Sequence, residues 1–314
     1  MRPALLIMGP TASGKSALAL RLAAAFDGEI VNADSMQVYA DLRVLTARPS
    51  PAEEAQAPHH LYGVVDAAER FSVGRWAAVA APVVAAIAAR GRLPIVVGGT
   101  GLYFKALTEG LAAAPPGEAA IRAALHARLK AEGPAALHAS LQARDPDAAA
   151  KLSPQDAPRI LRALEVVEAT GRPLSAWIAA QPPPPLAPGA WRGLRLAPDR
   201  AALYAAIDAR VTAMARDGAL EEVRRLADRG LDPLLPCMKA HGAPALMAYL
   251  RGEIGLDAAL DVARQDTRNY AKRQFTWMRG QMPDWPSVAP EAAFEAARVM
   301  ATETNPQDHE ISKK

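Results

Sequence analysis

The chain of 314 residues holds a single cysteine, Cys237. No intrachain disulfide can form, which excludes a stapled extracellular scaffold. Aromatic residues make up only 5%, so most helices must pack through Ala and Leu. No apolar run approaches the roughly 20 residues needed to span a bilayer. Nothing resembles a secretory leader, because the first apolar run begins almost at Met1 and leads straight into a glycine-rich turn. These absences lead us to expect a soluble, cytoplasmic protein. No excess of one charge is present either: 36 Lys and Arg face 33 Asp and Glu, for a net charge of +3. The pI of about 9.1 is compatible with a nucleic-acid partner without establishing one. Arginine accounts for 28 of the 36 basic residues. Arg suits bidentate phosphate contacts, yet the bias that fills the chain with Ala raises Arg as well. No internal repeat is found.

What is present begins at residues 9–16, GPTASGKS. The stretch fits G-x-x-x-x-G-K-[ST], and it follows an apolar run (4–8) and precedes a helix-forming run (15–26). Strand, loop and helix are the context in which this pattern binds phosphate rather than merely turning the chain. Glycines let the backbone N–H groups point inward at an anion, and the helix adds the positive end of its dipole. Lys15 contributes a charge and Ser16 a hydroxyl for Mg²⁺. The loop does not reveal which phosphate it holds, and on its own it reads as an ATP site.

A second strand is expected over 29–34, ending in Asp34. The resulting βαβ unit implies a parallel sheet, with ligands beyond the carboxyl ends of the strands. Residues 41–58 are polar and Pro-rich and read as a loop with a short helix. His59 and His60 precede a plausible strand over 61–65, and with no further ligand at metal spacing they read as packing residues. Residues 72–90 predict a long helix capped by Ser72. A continuous apolar strand over 93–97 ends in Gly98-Gly99-Thr100-Gly101, a second close approach on the same rim. From 118 to 180 every pattern is helical, with Asp145-Pro146 and Ser153-Pro154 read as helix starts. This stretch lies between Pro115-Pro116 and the run 182–185. A strand over 191–197 follows, then helical chain to about Gly280. The helix over 200–216 carries Arg210. The helix over 256–279 interleaves basic residues with Tyr270, Phe275 and Trp277. That mixture fits RNA contact and equally a helix that docks aromatics in the core and solvates its charges.

The organisation expected is an α/β fold with a P-loop, nucleotide-kinase-like parallel sheet and an inserted all-helical domain. The first part of the catalytic domain is residues 1–114, the insertion 115–188, the continuation 189–290, and a flexible tail 291–314. No acid follows the central strand, so the one well-placed carboxylate is Asp34, for Mg²⁺ or for a proton from a nucleophile. Residues alone lead to group transfer from a phosphorylated donor. A small-molecule or nucleotide kinase with a helical lid remains an alternative, as does a non-catalytic RNA-binding protein with a relic loop.

Several segments together resemble one family. GPTASGKS (9–16), DSMQVY (34–39), PHHL (58–61), GGTGLYFKAL (98–107), QDAPRILRALEV (155–166), GALEEVRRL (218–226) and TRNYAKRQFTWMR (267–279) are similar to those of the tRNA dimethylallyltransferases, also called tRNA isopentenyltransferases. The resemblance implies transfer of a dimethylallyl group from dimethylallyl diphosphate to N6 of adenine 37, beside the anticodon of tRNAs that read codons starting with U. It implies Asp34, Lys15 and Thr100 as catalytic. Gly9, Pro10, Thr11, Ala12, Ser13, Gly14, Lys15 and Ser16, with Arg210, would form the diphosphate or nucleotide site, Ser16 holding Mg²⁺. Ser35, Met36 and Gln37 would border the flipped adenine, Asp34 would take the N6 proton, and Thr100 would contact the tRNA. Arg122, Gln155, Asp156, Ala157, Pro158, Arg159, Lys272 and Arg273 would meet the anticodon stem-loop. A monomer without membrane attachment is implied. Two departures stand out. Ala206 replaces an expected basic residue, and CMKAHGAP (237–244) only loosely follows the family's channel motif. The stretch 115–185 is nearly neutral, with eight basic and seven acidic residues, which is surprising for an RNA clamp.

Overall fold

The computed structural model describes residues 2–302. Two compact units emerge among them: residues 2–108 with 185–302, and residues 109–184.

The first unit is built on a parallel sheet. Its chain order is β1 (Ala4–Met8), α1 (Lys15–Phe26), β2 (Gly28–Asn32), α2 (Pro51–Glu54), β3 (His59–His60), α3 (Val73–Ala89), β4 (Leu93–Gly98) and α4 (Gly101–Thr108). Among the described residues the sheet has six strands in the order β3-β2-β4-β1-β5-β6, every pair parallel. β5 is Trp191–Leu196 and β6 is Ser287–Val288. The central strands are buried on both faces, as a continuous apolar run requires. Side chains alternate between layers. Leu6, Met8, Val31 and Val96 face one core, with Trp76 and Ile87 of α3. Leu5, Ile7, Ile30 and Ile95 face the other, with Leu18 and Leu22 of α1.

Residues 109–184 form a helical unit of α5 (Ala119–Glu132), α6 (Pro134–Arg144), α7 (Pro146–Ala149), α8 (Ala157–Thr170) and α9 (Leu174–Ala179). Its own core joins Leu125, Leu137, Leu141, Ile160 and Leu164. Asp145 is fully buried and caps α7 through the Ala148 N–H, while also accepting from the Ser175 N–H and hydroxyl. The remaining helices of the first unit are α10 (Arg200–Arg216), α11 (Ala219–Asp228), α12 (Ala243–Leu250), α13 (Leu256–Gln281) and α14 (Ala293–Thr302).

Three local expectations need correction. Residues 61–65 are not a strand: the pairing that extends the sheet edge is His59–His60, and only Val65 makes a bridge, to Tyr39. Leu61 has a positive φ of 64°, which turns the chain out of the strand. Ser153-Pro154 starts no helix, because Asp156 caps α8 through the Arg159 N–H. The tail is not flexible throughout. Residues 293–302 form α14, whose Ala293, Ala297 and Ala301 pack into the core beside α1. An alanine stripe at helical spacing buries a face with little apolar signal. The rest of the expected tail, 303–314, lies outside the described residues.

β4 ends where two backbones nearly touch. A Cβ on Gly98 would land on the Ala33 carbonyl, a rigid neighbour that cannot move aside. Gly98→Ala is expected to destabilise the protein by about 3 kcal/mol. A denaturant midpoint equal to that of the wild type would show that this rim yields more easily than its packing indicates.

Candidate active site

The carboxyl ends of β1, β2 and β4 meet at one rim, and the loop 9–16 lies across it. Gly14 at φ 82° and Ala12 at φ 62° occupy the left-handed region, which aims successive N–H groups to one side. α1 opens at Lys15 with no side-chain cap and no acid in its first turn. Its leading N–H groups are therefore free to meet an anion. The Ser13 hydroxyl is buried without a hydrogen-bond partner.

Lys15 donates to the Pro10 carbonyl at 3.2 Å. Burial pulls its pKa down to about 8; the carboxylate of Asp34 acts against that and Arg210 reinforces it. Arg210 reaches the loop from α10 and donates to the Thr11 hydroxyl, while its Nε is buried and unpaired. Burial lowers its pKa as well, against the pull of Asp34. Lys15 and Arg210 thus bring two cations to the loop, with the buried Arg210 Nε an unused donor, the chemistry a diphosphate requires.

Asp34 is held in position by its surroundings. Its Oδ1 accepts from the Met36 N–H at 3.0 Å, and its own N–H donates to Asn32 Oδ1 at 2.8 Å. Asn32, fully buried, also donates to the carbonyls of Asp34 and Leu61, and its own carbonyl accepts from the Trp76 indole. Thr100 takes the Ser35 N–H at 2.9 Å and donates to the Ser35 hydroxyl. The DSM and GGTG segments are therefore locked across the rim.

Gln274 of α13 ties the rim together. Its side-chain carbonyl accepts from the Thr11 N–H at 2.9 Å, and its amide donates to the Gly99 carbonyl at 2.9 Å. Gly99 and Gly101 are required here because a Cβ would strike Gln274 at one and Trp277 at the other. Gln274→Ala would leave two backbone groups unpaired at roughly 1–3 kcal/mol each. We expect a lowered melting temperature together with weakened diphosphate binding. Diphosphate affinity unchanged in the variant would remove Gln274 from the site.

From this rim an apolar channel runs between α10, α11, α12 and α13. Thr11, Asp34, Arg210, His241 and Tyr270 line it with Met36, Leu45, Val211, Met214, Ala263 and Leu260. Tyr270 packs against His241 with ring centroids 4.3 Å apart and planes tilted by 37°. Burial and the charge of Arg273 lower the pKa of His241, against Asp266 and Asp34. Burial raises that of the Tyr270 phenol, with Asp34 adding to it. Both rings therefore favour their neutral forms.

Sequence patterns missed one anchor of this channel. Glu222 on α11 is buried and accepts from the N–H groups of Arg43, Val44 and Leu45 at 2.8–3.1 Å. Gln37 fastens the same loop by donating to the carbonyls of Thr46 and Ala47. The only trace of the Glu222 anchor in the sequence is an acid in the first turn of an amphipathic helix, where a solvated residue is the usual reading.

The remaining expected residues fall elsewhere. Ser16 is exposed on the first turn of α1, in a shallow recess with Glu53, His59 and Tyr62. Glu53 is committed to Ser50 as a capping box. Lys272 and Arg273 are exposed on α13. Ala206 is exposed on α10, so the missing basic residue leaves Arg210 as the cation of that helix at the loop. Cys237 is buried in the core, where burial pushes its thiol up to about 12. His60 pairs with the buried Glu29 at 2.6 Å, joined by Arg90 and Arg92. Among the described residues no cluster of three or more His, Cys, Asp or Glu side chains forms a metal cage, and no helix is long and apolar enough to cross a membrane. In the helical unit, Arg122 donates to Glu165 at 2.6 Å and to the Gly117 carbonyl. Gln155 and Pro158 are exposed at the start of α8, Ala157 is half-buried, and Asp156 pairs with the exposed Arg159.

A family model described as IPP transferase matches residues 37–281, and one described as isopentenyl transferase matches residues 3–63. The chain belongs to the IPP transferase family. A tRNA dimethylallyltransferase of Rhodopseudomonas palustris is 60% identical over 293 residues, 93% of this chain and 91% of that relative. One from a Bradyrhizobium species is 60% identical over 290 residues, covering 92% and 95%. Among solved structures, a full-length tRNA isopentenylpyrophosphate transferase from Bacillus halodurans aligns with TM-score 0.69 and 31% identity over 98% of this chain and all of its own. A eukaryotic dimethylallyltransferase described as acting on tRNA aligns with TM-score 0.77 and 27% identity, over 99% of this chain and 78% of its own. Membership in the family fits an anion cradle that opens into an apolar channel.

Proposed function

We propose that this chain is a tRNA dimethylallyltransferase, a prenyltransferase that modifies tRNA. The observation that carries the reading is the joining of three features at one rim: a cationic cradle, an apolar channel and a fixed carboxylate. A kinase that held ATP in this cradle would face the apolar channel with nothing suited to fill it. An allylic diphosphate has both parts the site matches.

In this reading the loop N–H groups, Lys15 and Arg210 hold the diphosphate and stabilise the charge that grows on it as the C1–O bond breaks. N6 of adenine 37 attacks C1, and Asp34 accepts the N6 proton. The base must leave its stack to reach that carboxylate. Ser35 and Met36 border it, and Thr100 keeps Asp34 and Ser35 in register. Gln37 shapes the channel wall through the loop it fastens. Mg²⁺ takes few protein oxygens and keeps waters and phosphate oxygens, so the lone Ser16 hydroxyl, exposed on the first turn of α1, is compatible with it. Ser16 would hold it, and when bound it supplies positive charge to the leaving diphosphate. Arg122, residues 155–159, Lys272 and Arg273 meet the anticodon stem-loop of tRNAs that read codons starting with U. The enzyme acts as a cytoplasmic monomer.

Donor preference tests the reading. Dimethylallyl diphosphate should be turned over with tRNA, and inorganic diphosphate should compete with it. ATP offered with small acceptors should give no ADP. ADP formation without any requirement for tRNA would instead identify a kinase.

A further inference from the structure

A second cavity lies beside loop 9–16, and the transfer reaction leaves it unused. Where β5 ends at Leu196, Ala197 and Pro198 lead the chain into α10, and Phe275, Met278 and Arg279 of α13 close the other side. The space enclosed is about 360 Å³, enough for a small molecule or one nucleotide. Leu196 ties it to the loop, because a Cβ on Gly9 would lie 3.1 Å from the Leu196 Cβ.

The character of this cavity is cationic and aromatic. Arg195, Arg200, Lys272 and Arg279 line it with Tyr204 and Phe275, and no lining residue is acidic. None of the four cations is ion-paired among the described residues. The acids close by on α10 are already committed. Asp199 caps the helix through the Ala202 N–H, and Asp208, one turn beyond Tyr204, is taken by Arg268. Arg195 donates to the carbonyls of Met278 and Pro283 rather than to an acid. Arg200 lies over the Tyr204 ring, with its Cζ 5.2 Å from the centroid, and donates to the hydroxyl. Elsewhere in this chain clustered arginines hold an acid between them: Glu29 for Arg90 and Arg92, and Glu165 for Arg122 and Arg162. Here the four charges repel one another until an anion joins them.

We propose that this cavity holds one unpaired nucleotide of the tRNA, other than adenine 37, with its base on Tyr204 and Phe275 and its phosphate on Arg195, Arg200 and Arg279. The inference rests on reading tRNA as the acceptor. Aromatic rings and guanidinium planes are the surfaces on which splayed bases stack, and arginine forks suit phosphate. Arg200 and Arg210 stand ten residues apart on one helix, about 15 Å along its axis, a separation that a short single strand spans. Stacking reads no sequence, so the cavity grips the strand and leaves the choice of base to the site at Asp34.

The test measures equilibrium binding of an anticodon stem-loop RNA in which each loop nucleotide in turn, adenine 37 excepted, is made abasic. With the wild type, one abasic position should cost about tenfold in affinity, while exchanging the base there for another should cost little. In Tyr204→Leu, and separately in Phe275→Leu, the intact RNA should bind about tenfold more weakly, and the same abasic position should cost little further. Arg200→Ala alters an exposed side chain and keeps the test open where a ring variant fails to fold. It should lower the slope of log affinity against log salt by about 0.7, a readout that lost packing does not move. No abasic position coupled to the rings, or a salt slope unchanged in Arg200→Ala, would overturn the inference and leave the acceptor reading standing. Weaker binding of free adenosine monophosphate in these variants, with stem-loop binding unchanged, would also overturn it and make the cavity a site for free nucleotides. A wild type that binds no stem-loop at all would instead overturn tRNA as the acceptor.

Discussion

Asp34→Ala should lower the rate of prenyl transfer by about 10² or more while leaving tRNA affinity largely intact. The carboxylate is positioned by two direct partners and by the bonds that fix their neighbours. The Met36 N–H reaches the carboxylate itself and Asn32 holds the backbone of Asp34, while Trp76 fixes Asn32 and Thr100 fixes Ser35 on either side of it. Such fixation is what a proton acceptor needs if the attacking amine is to meet it in the transition state. Asp34→Asn keeps the acceptor for the Met36 N–H and removes only basicity, so it should lose rate with little loss of stability. Single-turnover transfer with saturating donor and tRNA measures the step. A rate within threefold of the wild type in both variants would remove Asp34 as the acceptor.

Lys15→Ala should weaken donor binding and transfer together, each by about 10². The ammonium is the binding form, and in the free protein burial brings its pKa to about 8. The sign follows directly. Below that pH Lys15 is charged and the donor binds; as pH rises through it, the charge is lost and kcat/KM for the donor falls about tenfold per pH unit. A bound diphosphate favours the ammonium, so the limb in kcat should lie at higher pH than the limb in kcat/KM. Lys15→Arg keeps its charge throughout and should flatten the limb. Donor affinity unchanged in Lys15→Ala, or a kcat/KM profile level from pH 7 to 10 in the wild type, would contradict the cradle.

How much of this was legible in the residues differs by element. The loop 9–16 and Asp34 could be placed on one rim because parallel topology puts strand ends together whatever the packing. α10 was bounded at Arg200–Arg216 by its pattern, but the direction of Arg210 is a property of how α10 sits against the sheet, and no periodicity carries it. The roles of Gln274 and Glu222 were hidden for the same reason. Each joins segments more than 170 residues apart in sequence, and an isolated Gln or Glu on a helix looks solvated. The open question about α13 had a divided answer. Gln274 and Trp277 turn inward against the glycine rim, Tyr270 lines the channel, and Lys272, Arg273 and Arg279 stay exposed. One helix therefore braces the core and presents charge to solvent. α14 escaped notice because three alanines bury a face without looking hydrophobic.

The near neutrality of residues 115–185 also takes on physical form. Arg122 and Arg162 both engage Glu165, and Arg144 engages Glu168. Much of the unit's positive charge is thereby compensated internally, while Arg159 remains exposed at the start of α8 beside Asp156. Any affinity of this unit for tRNA would then depend on a few exposed groups at that helix end rather than on a broad basic surface.

The central claim is that the loop 9–16 delivers an isoprenoid rather than a phosphoryl group. Mass spectrometry of tRNA incubated with the purified protein, Mg²⁺ and dimethylallyl diphosphate tests it most directly. The account predicts one dimethylallyl group on N6 of adenine 37, one diphosphate released for each, and no adduct from Asp34→Ala on the same timescale. Unmodified adenine 37 with intact donor, under conditions where the protein binds both substrates, would contradict it.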